Sequence, residues 1–285
     1  MATEKTLQDL CAVVTGAGGG LGEGIAHHAA TLGMSVVVAD MNLEAAERVA
    51  THLSRLGVRA LAVRTDVRRA DEVEALADLA FREFGHVRML VNNAGIEAVG
   101  YSWEMPIDSW KAVIDVNIHG VVNGVRAFAP RMIAAGKGGY ISNVASLGAL
   151  STLPMQAAYV MSKHAVLAFT ECLALEMQAA SSPIKVSAVL PGSISTQIFE
   201  TLETKSAGDA GGYHLRAMRD MLVNHGMTPE EAGRLIVEGI LGDKFWIFTH
   251  PELSADMAAI RAQHLKNFTL PVLMEQSRVL LKPQQ

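Results

Sequence analysis

Tyr159 and Lys163 stand four residues apart, and Ser146 precedes Tyr159 by 13. Side chains four apart on a helix share a face, so this spacing puts a phenol beside an ammonium. Free tyrosine ionises at about pH 10. A nearby cation favours the phenolate and makes it usable as a base near neutrality. A lowering of about three units corresponds to roughly 4 kcal/mol, which two cations at about 5 Å supply in an effective dielectric of about 20. Tyr159 then serves as general base in oxidation and general acid in reduction, and the Ser146 hydroxyl stabilises the developing alkoxide.

A second pattern is Thr15-Gly16-Ala17-Gly18-Gly19-Gly20-Leu21-Gly22. Without side chains at Gly16, Gly20 and Gly22, the chain turns tightly and a pyrophosphate reaches the amides of a helix beginning near Leu21. Asp40 lies 18 residues past Gly22, where a carboxylate accepts hydrogen bonds from ribose hydroxyls; its other reading is a carboxylate at a helix N-terminus. NAD is favoured over NADP. A 2′-phosphate brings about two negative charges towards Asp40, each repelled by roughly 4 kcal/mol at about 4 Å in an effective dielectric of about 20. No Arg or Lys stands at residues 41–43 or in the glycine loop to relieve this. Phosphate cradle and proton donor together specify a nicotinamide-dependent alcohol or carbonyl oxidoreductase.

These groups need a scaffold, and the chain alternates short apolar runs with helical periods. Strands are expected at Leu10–Thr15, Ser35–Asp40, Ala60–Arg64, Arg88–Val91, Tyr140–Asn143, Lys185–Leu190 and Phe245–Phe248. Helices are expected at Leu21–Leu32, over Leu43–Leu56 and Val73–Phe84, at Asp108–Arg131 and from about Met155 to Met177, with Gly33, Gly57 and Gly85 as C-caps. Right-handed crossovers make this an α/β fold, a doubly wound parallel sheet of about seven strands in one domain, residues 1–250. Residues 199–225, with Gly208, Gly211 and Gly212 and a short helix carrying Met218, Met221 and Leu222, read as a mobile lid, or else as a surface excursion or subunit contact. Residues 251–285 form a helical extension packed on the same domain, with Leu253, Met257, Ile260 and Leu265 on one stripe.

With 24 Lys and Arg against 29 Asp and Glu, and no basic run, the composition argues against a nucleic-acid partner. The uncharged stretch Gly138–Ser162 is broken by Gly, Ser, Asn, Gln and Pro154 and reads as core strand plus active-site loop rather than a membrane span. Cys11 and Cys172 each sit in apolar segments and read as core thiols, so no disulfide framework is expected. The first ten residues lack a secretory signal, which implies a cytoplasmic location. No metal-ligand spacing is present, and none is needed for the chemistry.

These motifs resemble those of the short-chain dehydrogenase/reductase family over about Leu10 to Phe248, which implies a Rossmann-type fold. Thr15-Gly-x-x-x-Gly20-x-Gly22 resembles its nucleotide loop, Asn92-Asn93-Ala94-Gly95 its fourth-strand motif and Pro191-Gly-Ser-Ile194-Ser-Thr196 its nicotinamide-carboxamide segment. The resemblance implies that Asp66 and Val67 face the adenine ring, that Asn93 lies by the adenosine ribose, and that Ile194 and Thr196 hold the carboxamide. It also implies that Lys163 reaches the nicotinamide ribose, that Asn117 joins Ser146, Tyr159 and Lys163 as a fourth catalytic member, and that the chain is a homo-oligomer. A tetramer built on the 108–131 and 155–177 helices is favoured, with a dimer as the alternative. Apolar residues expected around the reacting carbon are Ile96, Val99, Tyr101, Trp103, Leu147, Leu150, Leu153, Met155, Phe199 and Leu202, which suit a small hydrophobic secondary alcohol or its ketone. A catalytically silent NAD-binding sensor or scaffold is the alternative, but it predicts a damaged tetrad.

Overall fold

The computed structural model describes residues 7–8, 10–199, 208–273, 275–278 and 280–281. Its seven strands are β1 (Cys11–Thr15), β2 (Ser35–Asp40), β3 (Ala60–Arg64), β4 (Val87–Asn92), β5 (Gly139–Val144), β6 (Ile184–Leu190) and β7 (Trp246–Phe248). All pairings are parallel, in the order β3-β2-β1-β4-β5-β6-β7. The sheet is therefore the doubly wound one expected, with its order reversing between β1 and β4. Strand β1 is buried at all five positions and β5 at all six, as continuous apolar runs require when helices cover both faces.

Helices α1 (Gly20–Thr31), α2 (Leu43–Ser54) and α3 (Ala70–Phe84) follow the first three strands. Asn42 caps α2 by accepting from the Ala45 amide at 3.1 Å, and Gly85 ends α3 in the left-handed region at φ 70°. The helix expected at 108–131 is instead α4 (Ile107–Ile114) and α5 (Gly120–Ala135), joined by a π-helical turn, Asp115–His119. Such a wide turn displaces one residue from the regular helical face. Asn117 lies inside it and is fully buried.

Helix α6 (Ala157–Ala179) carries Tyr159 and Lys163, and α8 (Pro229–Leu241) packs on α1 with backbones almost touching. A Cβ on Gly24 of α1 would lie 2.0 Å from the Pro229 carbonyl. One expectation is corrected on α6: Cys172 is exposed. Its neighbours Thr170 and Leu173 take the buried face, so helical rotation turns Cys172 outward despite the apolar surroundings.

The helix expected to be short after β6 is α7 (Gly208–His225), 18 residues long. It packs Leu215, Met218 and Leu222 against Val99, Met155 and Phe199. Residues 200–207 of the expected lid lie outside the described residues. Helix α9 (Pro251–Asn267) touches the core through Met257, while Leu253, Ile260 and Leu265 are exposed; α10 (Glu275–Arg278) follows. Among the described residues, no helix is long and apolar enough to cross a membrane.

Candidate active site

Above the C-terminal ends of β1, β4, β5 and β6 lies a cavity of about 490 Å³. Its nucleotide end is built on the glycine loop. Gly16 has φ +62°, and a Cβ there would come within 2.8 Å of the Ala94 backbone, while one on Gly22 would lie 2.2 Å from the Gly16 carbonyl. Side chains are therefore sterically excluded where the loop turns into α1. Cross-strand hydrogen bonds hold the loop. The Thr15 hydroxyl accepts from the Asn93 and Ala94 amides at 3.0 and 3.1 Å, and the Asn93 side-chain amide donates to the Thr15 and Gly16 carbonyls at 2.9 and 3.2 Å. Gly16, Gly20, Leu21, Gly22, Asp40 and Asn93 all line the cavity.

Asp40 does not cap a helix, since Asn42 caps α2. It faces the cavity, and it also accepts from the Gly18 and Asn42 amides, each at 2.9 Å. Arg48 of α2 was not anticipated beside it. Its guanidinium donates to the Gly18 carbonyl at 2.9 Å and grips Glu23 through two bonds of 2.8 and 2.7 Å. The cation near the loop is thus already paired. Asp66 and Val67 are not among the wall residues. Arg68 takes the Asp66 carboxylate in bonds as short as 2.6 Å and holds it below the usual carboxylate range, while Val67 packs under Gly120.

The segment after β6 forms the opposite wall. Ile194 and Thr196 line the cavity, and the Thr196 side chain abuts Gly20, where a Cβ would come within 3.2 Å. The segment is pinned on both sides. The Gly192 amide donates to the Thr249 hydroxyl at 2.9 Å, and Ser193 and Ser195 exchange backbone bonds with Met227.

Tyr159, Lys163 and Ser146 line the same cavity. The Lys163 Nζ donates to the Val144 carbonyl at 2.9 Å and lies 5.5 Å from the centre of the Tyr159 ring. Burial lowers its pKa to about 8, against the raising effect of Glu97. Ser146 Oγ accepts from the Gly148 amide at 3.0 Å, which orients the hydroxyl. The polypeptide pushes the Tyr159 phenol upward, first through burial and then, when Glu97 is ionised, through its carboxylate, with Ser146 pulling the other way. The lowering expected from Lys163 together with the nicotinamide ring is not supplied by the chain alone, in which burial is the largest effect on the phenol. Asn117 does not line the cavity. Its Oδ1 accepts from the Ile96 amide at 2.8 Å, and its Nδ2 donates to the Ile96 carbonyl at 3.0 Å and the Ser162 hydroxyl at 2.9 Å. It ties the loop after β4 to α6.

The substrate end is assembled differently from expectation. Leu147, Leu153 and Phe199 line it, but Ile96, Val99, Tyr101, Trp103, Leu150 and Met155 do not, and Leu202 lies outside the described residues. Trp103 is 79% exposed and stacks on Tyr101. Met218, Met221 and Leu222, expected on the lid, line it from α7, and Leu253 and Met257 of α9, not expected there, complete it. Glu97 was missed altogether, since a single acid within an apolar loop carries no spacing signal.

Fold and cavity define an oxidoreductase of the dinucleotide-binding α/β class. The short chain dehydrogenase profile matches residues 10–207, and this chain belongs to that family. It is 37% identical to cyclohexanol dehydrogenase of Acinetobacter sp. strain SE19 over 193 residues, 67% of this chain and 76% of that one. It is 33% identical to 1-deoxy-11-beta-hydroxypentalenate dehydrogenase of Streptomyces exfoliatus over 248 residues, 86% of this chain and 85% of that one. A short-chain dehydrogenase/reductase from Burkholderia phymatum, solved in complex with NAD, superposes with a TM-score of 0.87 at 32% identity, covering 94% of this chain and 99% of that one.

Proposed function

We propose that the chain is an NAD-dependent dehydrogenase that interconverts a hydrophobic secondary alcohol and its ketone, with Tyr159 as the acid/base. The observation that carries this reading is that Ser146, Tyr159 and Lys163 share one cavity with the glycine loop and Asp40. The glycine cradle at the start of α1 fits a pyrophosphate, and the Asp40 carboxylate fits a ribose diol better than a 2′-phosphate. Bound NAD supplies a hydride acceptor, and its positive ring favours the phenolate. In oxidation the substrate hydroxyl gives its proton to Tyr159 Oη, and the Ser146 hydroxyl stabilises the oxygen as negative charge builds there. Lys163 keeps its ammonium beside Tyr159 through the Val144 carbonyl. Asn117 acts by positioning, since it holds the loop after β4 against α6.

The dehydrogenases for cyclohexanol and for a hydroxypentalenate support a hydrophobic cyclic alcohol as substrate class. So do the apolar side chains from α7 and α9. The carry-overs of Asp66 and Val67 to the adenine, and of Ile194 and Thr196 to the carboxamide, rest on the family resemblance. A homo-oligomer built on α5 and α6 is supported by the outward-facing Ile133, Met161 and Leu175. The test is a screen of NAD reduction against a panel of cyclic and aryl secondary alcohols, with NADP in parallel. Turnover of hydrophobic alcohols with NAD is expected. Inactivity against the whole panel, or equal use of NADP, overturns the corresponding part of the reading.

A further inference from the structure

Glu97 follows β4, is 3% exposed and lines the cavity with Ser146, Tyr159 and Lys163. Among the described residues it makes a single hydrogen bond, from the Ala98 amide to its Oε1 at 2.9 Å, and no ion pair. Lys163, whose charge acts on it, directs its Nζ at the Val144 carbonyl instead. Gln156, also buried and in the wall, is already engaged by the His214 ring at 3.0 Å.

Burial raises the Glu97 pKa well above the ordinary range, and the Ala98 amide and Lys163 only partly counter it. The site chemistry points the same way. An ionised Glu97 would oppose the Tyr159 phenolate, so the neutral acid is the form compatible with base catalysis. A neutral carboxylic acid carries an O–H donor, and since among the described residues Glu97 donates to no acceptor, a ligand oxygen is the partner left for it.

We propose that Glu97 is a specificity-determining residue whose carboxylic acid donates a hydrogen bond to a second oxygen of the substrate. The preferred class is then an apolar secondary alcohol bearing an ether, ketone or hydroxyl oxygen close to the carbinol carbon. This rests on the alcohol dehydrogenase reading and deepens it. A site built to hydrogen-bond a substrate group discriminates strongly against an analogue of the same shape that lacks it.

The test compares 2-methoxycyclohexanol with 2-ethylcyclohexanol, in which a methylene replaces the ether oxygen, using the full-length wild type, Glu97→Gln and Glu97→Leu. The readout is the ratio of kcat/KM for the two alcohols, which cancels general damage to the enzyme. The wild type is expected to favour the methoxy compound by at least about tenfold. Glu97→Gln keeps an N–H donor and most of the preference, whereas Glu97→Leu brings the ratio close to one. A wild-type ratio near one, an unchanged ratio in Glu97→Leu, or a stronger preference for 2-aminocyclohexanol overturns the proposal while leaving the dehydrogenase reading intact. A wild-type ratio near one overturns the proposal even if Glu97→Leu does not fold, and Glu97→Ala then supplies the variant comparison. Inactivity on every alcohol removes both.

Discussion

The two ends of the cavity are built by different physics. At the nucleotide end, the wall is a set of strand ends and tight turns cross-linked by polar bonds: Thr15 to Asn93 and Ala94, Asn93 to the glycine loop, Lys163 to Val144. At the substrate end, the wall is Leu147, Leu153 and Phe199 with side chains from α7 and α9, and its α7 members are held mainly by apolar contact. Its few polar ties include Gln156 to His214, His214 to the Leu280 carbonyl at 2.9 Å, and Arg219 to the Phe199 carbonyl. Hydrogen bonds are directional and fix atoms to fractions of an ångström, as hydride and proton transfer require. Apolar packing tolerates substitution of similar volume. One scaffold can thus keep its chemistry while its substrate wall changes.

The sharpest way to break the comparison is at the polar end. Tyr159→Phe is expected to lower kcat by at least about 10²-fold with NAD affinity preserved, since only the acid/base group is lost. Near-normal turnover, measured by NADH formation, would remove Tyr159 from the mechanism. Replacement of Asp40 by Ser is expected to weaken NAD and to shift the NAD/NADP ratio of kcat/KM towards NADP by about tenfold or more, because a repulsion of several kcal/mol is relieved. Arg48 limits that gain, being held by Glu23.

At the apolar end, smaller and differently directed effects are expected. Met221→Lys should raise KM for apolar alcohols several-fold and leave NAD affinity unaltered, since a ground-state contact is what is lost. Equal damage to NAD binding would show that the two ends are not separable.

The smallest effect concerns stability. The folded-state pKa of Glu97 is raised above its unfolded value, so the folded chain holds a proton that the unfolded chain releases. Stability from this group is therefore lost as pH rises above the unfolded carboxyl value, towards the folded one. Glu97→Gln removes this dependence. Its melting temperature should exceed the wild type's by a few degrees near neutrality, with the difference shrinking from about pH 7 towards about pH 4. A constant difference across that range would show that folding does not raise the Glu97 pKa.

Much of the molecule was legible because the signals are local. Apolar runs bounded by turns located all seven strands, with ends displaced by at most one residue where the fold extends or frays them. The spacing of Tyr159 and Lys163 is a property of any helix. The glycine loop and Asp40 were readable because a tight turn and a strand end have sequence signatures of their own. The apolar wall was legible in part: Leu147, Leu153, Phe199 and the Met218, Met221 and Leu222 of the expected lid line it, but Leu253 and Met257 come from α9, far along the chain, and their approach depends on how that helix packs.

By itself, the sequence determined the parallel sheet, the phosphate-binding turn and the helix face that pairs phenol with ammonium, since each follows from backbone geometry within a few residues. Tertiary structure alone decided that Arg48 folds back on Gly18 and Glu23, that a π turn buries Asn117 between Ile96 and Ser162, and that Glu97 is enclosed beside Tyr159. Burial and electrostatic coupling are properties of the whole packed set of neighbours, so no pattern within the chain announces which single acid will lose its water.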